Sequence, residues 1–403
     1  MASAIAAARL QRSELRFRSA TSAGDEMSVL ERHLGVRRLR LNLPSLSVAD
    51  WVGRGLHDEH MKGVALVITG AVKLEELGLA RNAIGDEGAA VLAFALPSSG
   101  SLRQLWLSGN RVADAGAIAI AEALPKMGAG DHQPPPIQEL WLATNRIGDD
   151  GASALAAALA QLPQLRKVDL RSNRIGDVGC SALAAVMPRL VLDELYLQEN
   201  RIADVGARAL ASVLPAATWC HELRLTGNAI ADDGAAHLAA ALPSAVSLRG
   251  LRLSSNQIGD AGGAAIARAL LHAPLQRLEL AYNVGIADAT TSALADALPS
   301  SHLLALDLEG HSSKAAGEER LALSLLGAAV FGVPRTTHSP PASDGHGAPL
   351  AASSAPSPAA LGDATEASEM ANRLALRQLH GVRLVSHVRA LGVLSDELRD
   401  ELE

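Results

Sequence analysis

The chain has 403 residues and a formal net charge of −7, with 48% apolar residues but only 2% aromatic ones. A net-negative chain lacks the basic footprint that supplies most nucleic-acid affinity, and no run reaches the roughly 18 apolar residues a membrane span requires. Nucleic acid and bilayer are therefore not the expected partners, and the core must be aliphatic.

Residues 1–35 carry Arg9, Arg12, Arg16 and Arg18 against Glu14 alone before Asp25. An organelle transit peptide is one reading, and a leader or N-terminal cap is the preferred one. Residues 36–73 open on Leu39-Arg40-Leu41, with Pro44 where the later units have Asn, and read as an atypical capping region. Within it stands His57-Asp58-Glu59-His60. Two histidines three apart on a helix share a metal only with a further ligand; none is apparent, so a solvated cap surface is expected.

From Leu74 the chain repeats. Asn82, Asn110, Asn145, Asn173, Asn200, Asn228, Asn256 and Asn283 are separated by 28, 35, 28, 27, 28, 28 and 27 residues, and His311 takes the ninth place. A period of this size marks stacked supersecondary units. Leucines stand three and five residues before each Asn, from Leu79 and Leu77 to Leu308 and Leu306, with Val168 the one substitution. L-x-L is the pattern of a strand with one buried face. Asp follows four after the Asn (Asp86, Asp114, Asp149, Asp177, Asp204, Asp232, Asp260) and Gly two later, from Gly88 to Gly262. The period then becomes helical: Leu92 and Leu96, or Leu155 and Leu159, lie one turn apart on one face. Ala at the eleventh position (Ala93, Ala121, Ala156) lets the helix lie close to the strands. The Asp is placed to act as the N-cap of its own helix, and Pro97, Pro125, Pro188, Pro215, Pro243 and Pro299 stop the helices.

The surplus of the long second interval falls in Lys126–Pro136, a Pro- and Gly-rich surface loop, and Val284-Gly285-Ile286 makes one turn bulge. Cys180 and Cys220 occupy small-residue and leucine sites and read as core hydrophobes, which fits a reducing compartment. Residues 331–368 are a Pro/Ser/Ala/Gly linker. Residues 369–403 suggest an amphipathic helix, with Leu374, Leu379, Val382, Val385 and Val388 opposite Arg373, Arg377, Arg383 and Arg389. Docking a partner and folding back on the repeats are both open for it.

On these residues, about 36–330, the chain resembles the leucine-rich repeat family in its ribonuclease-inhibitor-like subtype. The resemblance implies an α/β solenoid, a horseshoe with parallel strands on the concave face and helices on the convex face, about nine units between 74 and 330. It also implies that the Asn amides form a ladder bonding backbone groups at each turn.

The buried leucines fix which residues face inward. Between the paired leucines lie Gly78, Trp106, Trp141, Asp169, Tyr196, Arg224, Arg252, Glu279 and Asp307; two places after the second leucine come Glu199 and Tyr282. The chain has four Trp, two Tyr and three Phe, and Trp106, Trp141, Tyr196 and Tyr282 all fall on this face. Exposed rings on a rigid sheet are hot-spot chemistry. The face runs from aromatic to basic (Arg171, Arg224, Arg252) to acidic (Glu279, Asp307, Glu309), a zoning that would orient a partner. The bland alternative is that rings simply suit strands. No phosphate loop, H-E-x-x-H or G-x-S-x-G occurs, so neither catalysis nor a cofactor is expected. The leading expectation is a monomeric, cytoplasmic, non-enzymatic scaffold holding another protein. Two readings stand beside it: a regulator resembling the activators of Ran-type GTPases, and a subunit of a cytoskeletal or ciliary assembly.

Overall fold

The computed structural model describes residues 23–34, 43–128 and 135–312. The residues proposed as linker and C-terminal helix, Leu39 and Leu41, and the middle of the Lys126–Pro136 loop lie outside these.

Each unit contributes a strand of three residues: Val48–Asp50 (β1), Glu76–Gly78 (β2), Gln104–Trp106 (β3), Glu139–Trp141 (β4), Lys167–Asp169 (β5), Glu194–Tyr196 (β6), Glu222–Arg224 (β7), Gly250–Arg252 (β8), Arg277–Glu279 (β9) and Ala305–Asp307 (β10). They form one parallel sheet in chain order, with Leu77, Leu105 and Leu140 in register across it. Ala23–Leu34 (α1) precedes the sheet, and the crossovers carry Met61–Gly70 (α2), Asp86–Ala95 (α3), Asp114–Ala123 (α4), Asp149–Leu159 (α5), Asp177–Val186 (α6), Asp204–Val213 (α7), Asp232–Ala241 (α8), Asp260–Ala269 (α9) and Asp288–Ala297 (α10). A helix needs about 10 Å of width where a strand needs about 4.8 Å, so the helix side takes the longer arc and the sheet becomes the concave face. Both leucines of each strand, the residue two after the Asn and the helical Leu/Ala stripe are buried between the two layers.

The Asn ladder is present. Asn110 Nδ2 donates to the carbonyls of Leu79 in the previous unit and Leu107 in its own, both at 2.9 Å, and its Oδ1 accepts from Ile84 N–H at 3.1 Å. Asn145, Asn173, Asn228, Asn256 and Asn283 repeat these contacts. In the ninth unit His311 Nδ1 lies 2.6 Å from Leu308 O, taking over the bond within the unit.

The aspartates act differently from the expectation. Each is the first residue of its own helix, and the residue before it holds the cap position with no side-chain cap bond. The carboxylate reaches instead to the next unit: Asp86 Oδ1 accepts from Ala113 N–H at 2.8 Å and Gly116 N–H at 2.9 Å, and Asp204 Oδ1 does the same with Ala231 and Gly234. The reason is that each helix start lies directly beside the previous one, so the neighbour's side chain meets the orphan N–H groups head-on. This contact also explains the repeated Gly: a Cβ at Gly116 would stand 2.8 Å from Asp86 Oδ1 and 2.9 Å from Ala89 Cβ.

The last complete unit breaks the Gly rule with compensation. Thr290 stands where the seven regular units have Gly, and its Oγ1 donates to Asp260 Oδ1 at 2.9 Å. Room comes from Gly263, which replaces the usual Ala of the preceding helix; a Cβ there would lie 2.4 Å from Thr290 Oγ1. Burial pushes the Asp260 carboxyl up, but hydrogen bonds from Thr290, Ala287 and Ala289 outweigh it and hold it below the ordinary value.

The cap is in phase with the rest. Ala49 pairs with Leu77, Trp51 is buried at the second-leucine site, and Leu56 N–H donates to Asn82 Oδ1, so the first unit starts 28 residues before the next rather than at Leu39-Arg40-Leu41. Asp58 opens the carboxylate series by accepting from Gly85 N–H at 2.6 Å. His60 is buried at 5% exposure, contrary to the expected solvated surface, because its place in the unit is the buried Gly site. Among the described residues no group of His, Cys, Asp or Glu is arranged to hold a metal.

The residue before each Asn or its equivalent adopts a left-handed backbone: Gly109, Gly227 and Gly310, but also Arg81, Thr144, Ser172, Glu199, Ser255 and Tyr282, with φ of 53–57° for the non-glycines. A β-branched residue is the poorest fit to this region.

Two stability outcomes are expected. Gly263→Ala should lower stability by about 1–3 kcal/mol, and adding Thr290→Gly should recover much of it, read as a coupling free energy from urea midpoints of both singles and the double. Thr144→Gly should raise the melting temperature, since relief of about 1–2 kcal/mol of left-handed backbone strain exceeds the roughly 0.4–1 kcal/mol lost to chain entropy; calorimetry of the variant reads the sign directly.

Candidate protein-binding face

Side chains reach the concave face from both residues flanking the first leucine of each strand. The row after it was anticipated. The row before it was not: Glu76, Gln104, Glu139, Lys167, Glu194, Glu222 and Arg277. The period-two rule places both rows on one side, so this half of the face was available from the alternation itself.

The aromatic residues come together. Trp106 and Trp141 occupy paired positions on β3 and β4, with ring centroids 5.7 Å apart, and Tyr196 lies 6.4 Å from Trp141. Each indole N–H is held from its own strand: Trp106 Nε1 donates to Gln104 Oε1 at 3.1 Å, and Trp141 Nε1 to Glu139 Oε2 at 3.0 Å. Trp106 remains 39% exposed. On its N-terminal side the next position is Gly78, which adds no side chain to the face. Tyr282 is 51% exposed but stands apart, at the left-handed position of a late unit with its ring over Gly310.

The charged zones differ from the expectation of exposed complementary patches. Arg171 Nη2 lies 2.7 Å from Asp169 Oδ2, and Asp169 is only 1% exposed, buried under that guanidinium rather than presented to a partner. Hydrogen bonding to Asp169 raises the Arg171 pKa. Glu222 gathers Arg224 at 2.5 Å, Arg252 at 2.5 Å and Arg277 at 3.5 Å, and Arg252 also reaches Glu279 at 3.1 Å. Burial pushes the Glu222 carboxyl up, but bonds from Arg224 and Arg252 outweigh it and hold it low. Glu279 is raised: burial acts first, and Asp307 and Glu222 add to it against the pull of Arg252 and Arg277. Arg171 and Arg224 also lie over the Tyr196 ring, 5.0 and 4.6 Å from its centroid. The middle of the face is thus internally neutralised, and Tyr196 is clamped between two cations. Asp307 lies half-buried at the far edge.

Seven stretches match the Leucine Rich repeat family model: residues 71–93, 99–121, 133–156, 161–184, 191–211, 221–239 and 245–267. These seven stretches of the solenoid are leucine-rich repeats. No curated protein matches the chain. Among solved structures, an internalin (inlF) from Listeria monocytogenes is similar at 18% identity and a TM-score of 0.41, covering 72% of this chain and 89% of that one. The ectodomain of the plant receptor kinase GASSHO1/SCHENGEN3 from Arabidopsis thaliana, solved in complex with CASPARIAN STRIP INTEGRITY FACTOR 2, is similar at 14% and 0.37, covering 69% of this chain and 32% of that one.

The leucine-rich repeats leave both cysteines free and buried as expected: burial raises the Cys180 thiol beyond any physiological titration and the Cys220 thiol to about 12, so neither is a nucleophile. No helix among the described residues is long and apolar enough to cross a membrane.

The arginine clamp is testable. Glu222→Gln should cost about 1–2 kcal/mol at pH 7, since partial exposure discounts a charged hydrogen-bond pair. Because the Glu222 carboxyl is held below its ordinary 4.5, its contribution is present above that pH and is lost as pH falls below it. Urea midpoints of variant and wild type should therefore converge toward pH 3.

Proposed function

We propose that the repeat face is a non-enzymatic docking surface for another protein, in a ribonuclease-inhibitor-like arrangement of leucine-rich repeats. The observation that carries this reading is the Trp106–Trp141 pair, with Trp106 exposed and Trp141 half-buried at paired positions of adjacent strands, each fixed by its own strand through Gln104 and Glu139. Rings whose rotamers are already fixed lose little entropy on binding, and Trp is among the residues most enriched at interface hot spots. Tyr196, Arg171 and Arg224 form a stiff wall beside the pair. Arg252, Glu279 and Asp307 set the polar rim beyond it, while Asp169 serves as a buried support. The helical layer supports a subtype assignment, since a full α-helix occupies each regular crossover.

Trp106→Ala with Trp141→Ala should abolish partner capture and shift the melting temperature by only a few degrees. Affinity capture with wild type beside the double variant, followed by mass spectrometry and calorimetry, checks both halves. A large melting-temperature drop, or an unchanged set of captured proteins, would remove the tryptophans from the docking role.

A further inference from the structure

At the N-terminal end of the stack, α1 lies on the first crossover helix. Met27 and Leu30 are fully buried, and the close approach depends on Gly63, where a Cβ would stand 2.8 Å from Leu30 Cβ and 3.0 Å from Glu26 O. One ion pair, Lys62 Nζ to Glu26 Oε1 at 3.1 Å, joins the two helices. A further polar attachment is a histidine: His33, at the end of α1, places Nε2 2.8 Å from the carbonyl of Arg54.

That histidine meets two more. The His33 and His60 ring centroids are 4.0 Å apart, those of His57 and His60 5.6 Å, and those of His33 and His57 6.4 Å. His60 is the buried member, and its Nδ1 accepts from His57 N–H at 3.0 Å, so that nitrogen must be unprotonated for the turn to close as it does. A proton on His60 Nδ1 removes the acceptor, and a proton on either nitrogen places a cation in a buried site against the His33 ring.

We propose that α1 is an acid-released cap: protonation of His60, the buried member of this histidine cluster, undocks the helix and uncovers the apolar end of the solenoid. Around the cluster stand Arg54, His57, Asp58 and Glu59 on the cap turn. Glu26, Glu31, Arg32 and His33 belong to α1, Lys62 to α2, and Asp86 and Glu87 to α3. Asp58 is committed to Gly85 N–H and Glu26 to Lys62, and Arg32 Nε is held by Ser28 O. Glu59 favours the imidazolium of His60, but burial, first, and the neighbouring His33 and His57 oppose it, and the balance lies below the ordinary 6.5. A base held low when docked binds more protons once released. Docking is therefore at full strength above pH 6.5 and weakens as pH falls below it.

Hydrogen exchange on the full chain at pH 7.5 and 5.5, corrected for intrinsic rates, tests this. Protection across residues 23–34 should fall several-fold at the lower pH, while β3 to β9 keep theirs. In His60→Phe, whose ring carries no charge, the pH step should vanish. His33→Gln, at an exposed position that keeps a donor for Arg54 O, should shrink it even where His60→Phe folds poorly. Protection unchanged between the two pH values, a step of equal size in both variants, or loss of protection throughout the sheet would each overturn the proposal.

Discussion

The structure depends on how backbone groups between neighbouring units are satisfied. A strand of three residues contributes only a few ladder bonds, and the turn that follows each strand would otherwise bury orphaned N–H and C=O groups at about 1–3 kcal/mol apiece. Two side chains per unit meet this need. An Asn amide donates to carbonyls of its own and the previous turn and accepts an N–H from the previous unit, and an Asp carboxylate one helix start earlier accepts two N–H groups from the next unit. Both bonds cross the boundary between repeats. Stability is therefore carried by interfaces rather than by units, as a nearest-neighbour stack requires.

That arrangement releases the concave face. With turns and helix starts satisfied inside the layer and the leucines buried beneath, the residues flanking each leucine carry little structural duty. What occupies them then separates into two kinds. Around Glu222 the charges satisfy one another, a network that stiffens the sheet but leaves little unspent field for a partner. Around Trp106 and Trp141 the polar atoms are satisfied by their own strand, while Trp106 stays 39% exposed beside Gly78 and Trp141 is half-buried next to it. Apolar area held open by polar support is more costly to leave wet than the charged zones, and that difference singles out the aromatic pair.

Much of this is legible in the residues. L-x-L, the Asn and the helical stripe specify strand, turn and helix in each regular unit, and they place the rings inward. What was not legible has a common cause: the partner lies one unit away. The Asp reads as a cap for its own helix because propensity is local, whereas its acceptor atoms meet the following helix start. The Gly two places on recurs in the sequence without a local reason, and it is small because that neighbouring carboxylate passes over it. The first unit escaped recognition because Ala49, Trp51 and Arg54 stand where later units have Leu, Leu and Asn. His60 looked solvated for the same reason: only the corrected phase puts it at a buried site. The row of residues before each leucine needed no structure, only the same alternation applied in the other direction.

The seam between β6 and β7 shows what holds when backbone pairing thins. These strands pair in register only through Tyr196 and Arg224, and the adjacent row places Glu194 beside Glu222, a like-charge neighbour that disfavours closer pairing. The side-chain ladder runs through the seam regardless: Asn228 Nδ2 donates to Leu197 O at 3.1 Å, Ile202 N–H to Asn228 Oδ1 at 3.0 Å, and Asp204 Oδ1 accepts from Ala231 N–H at 2.8 Å and Gly234 N–H at 2.9 Å. Continuity of the stack thus rests on the amide and carboxylate series more than on the sheet. The same economy explains why a binding face can vary its residues from unit to unit without the arc coming apart.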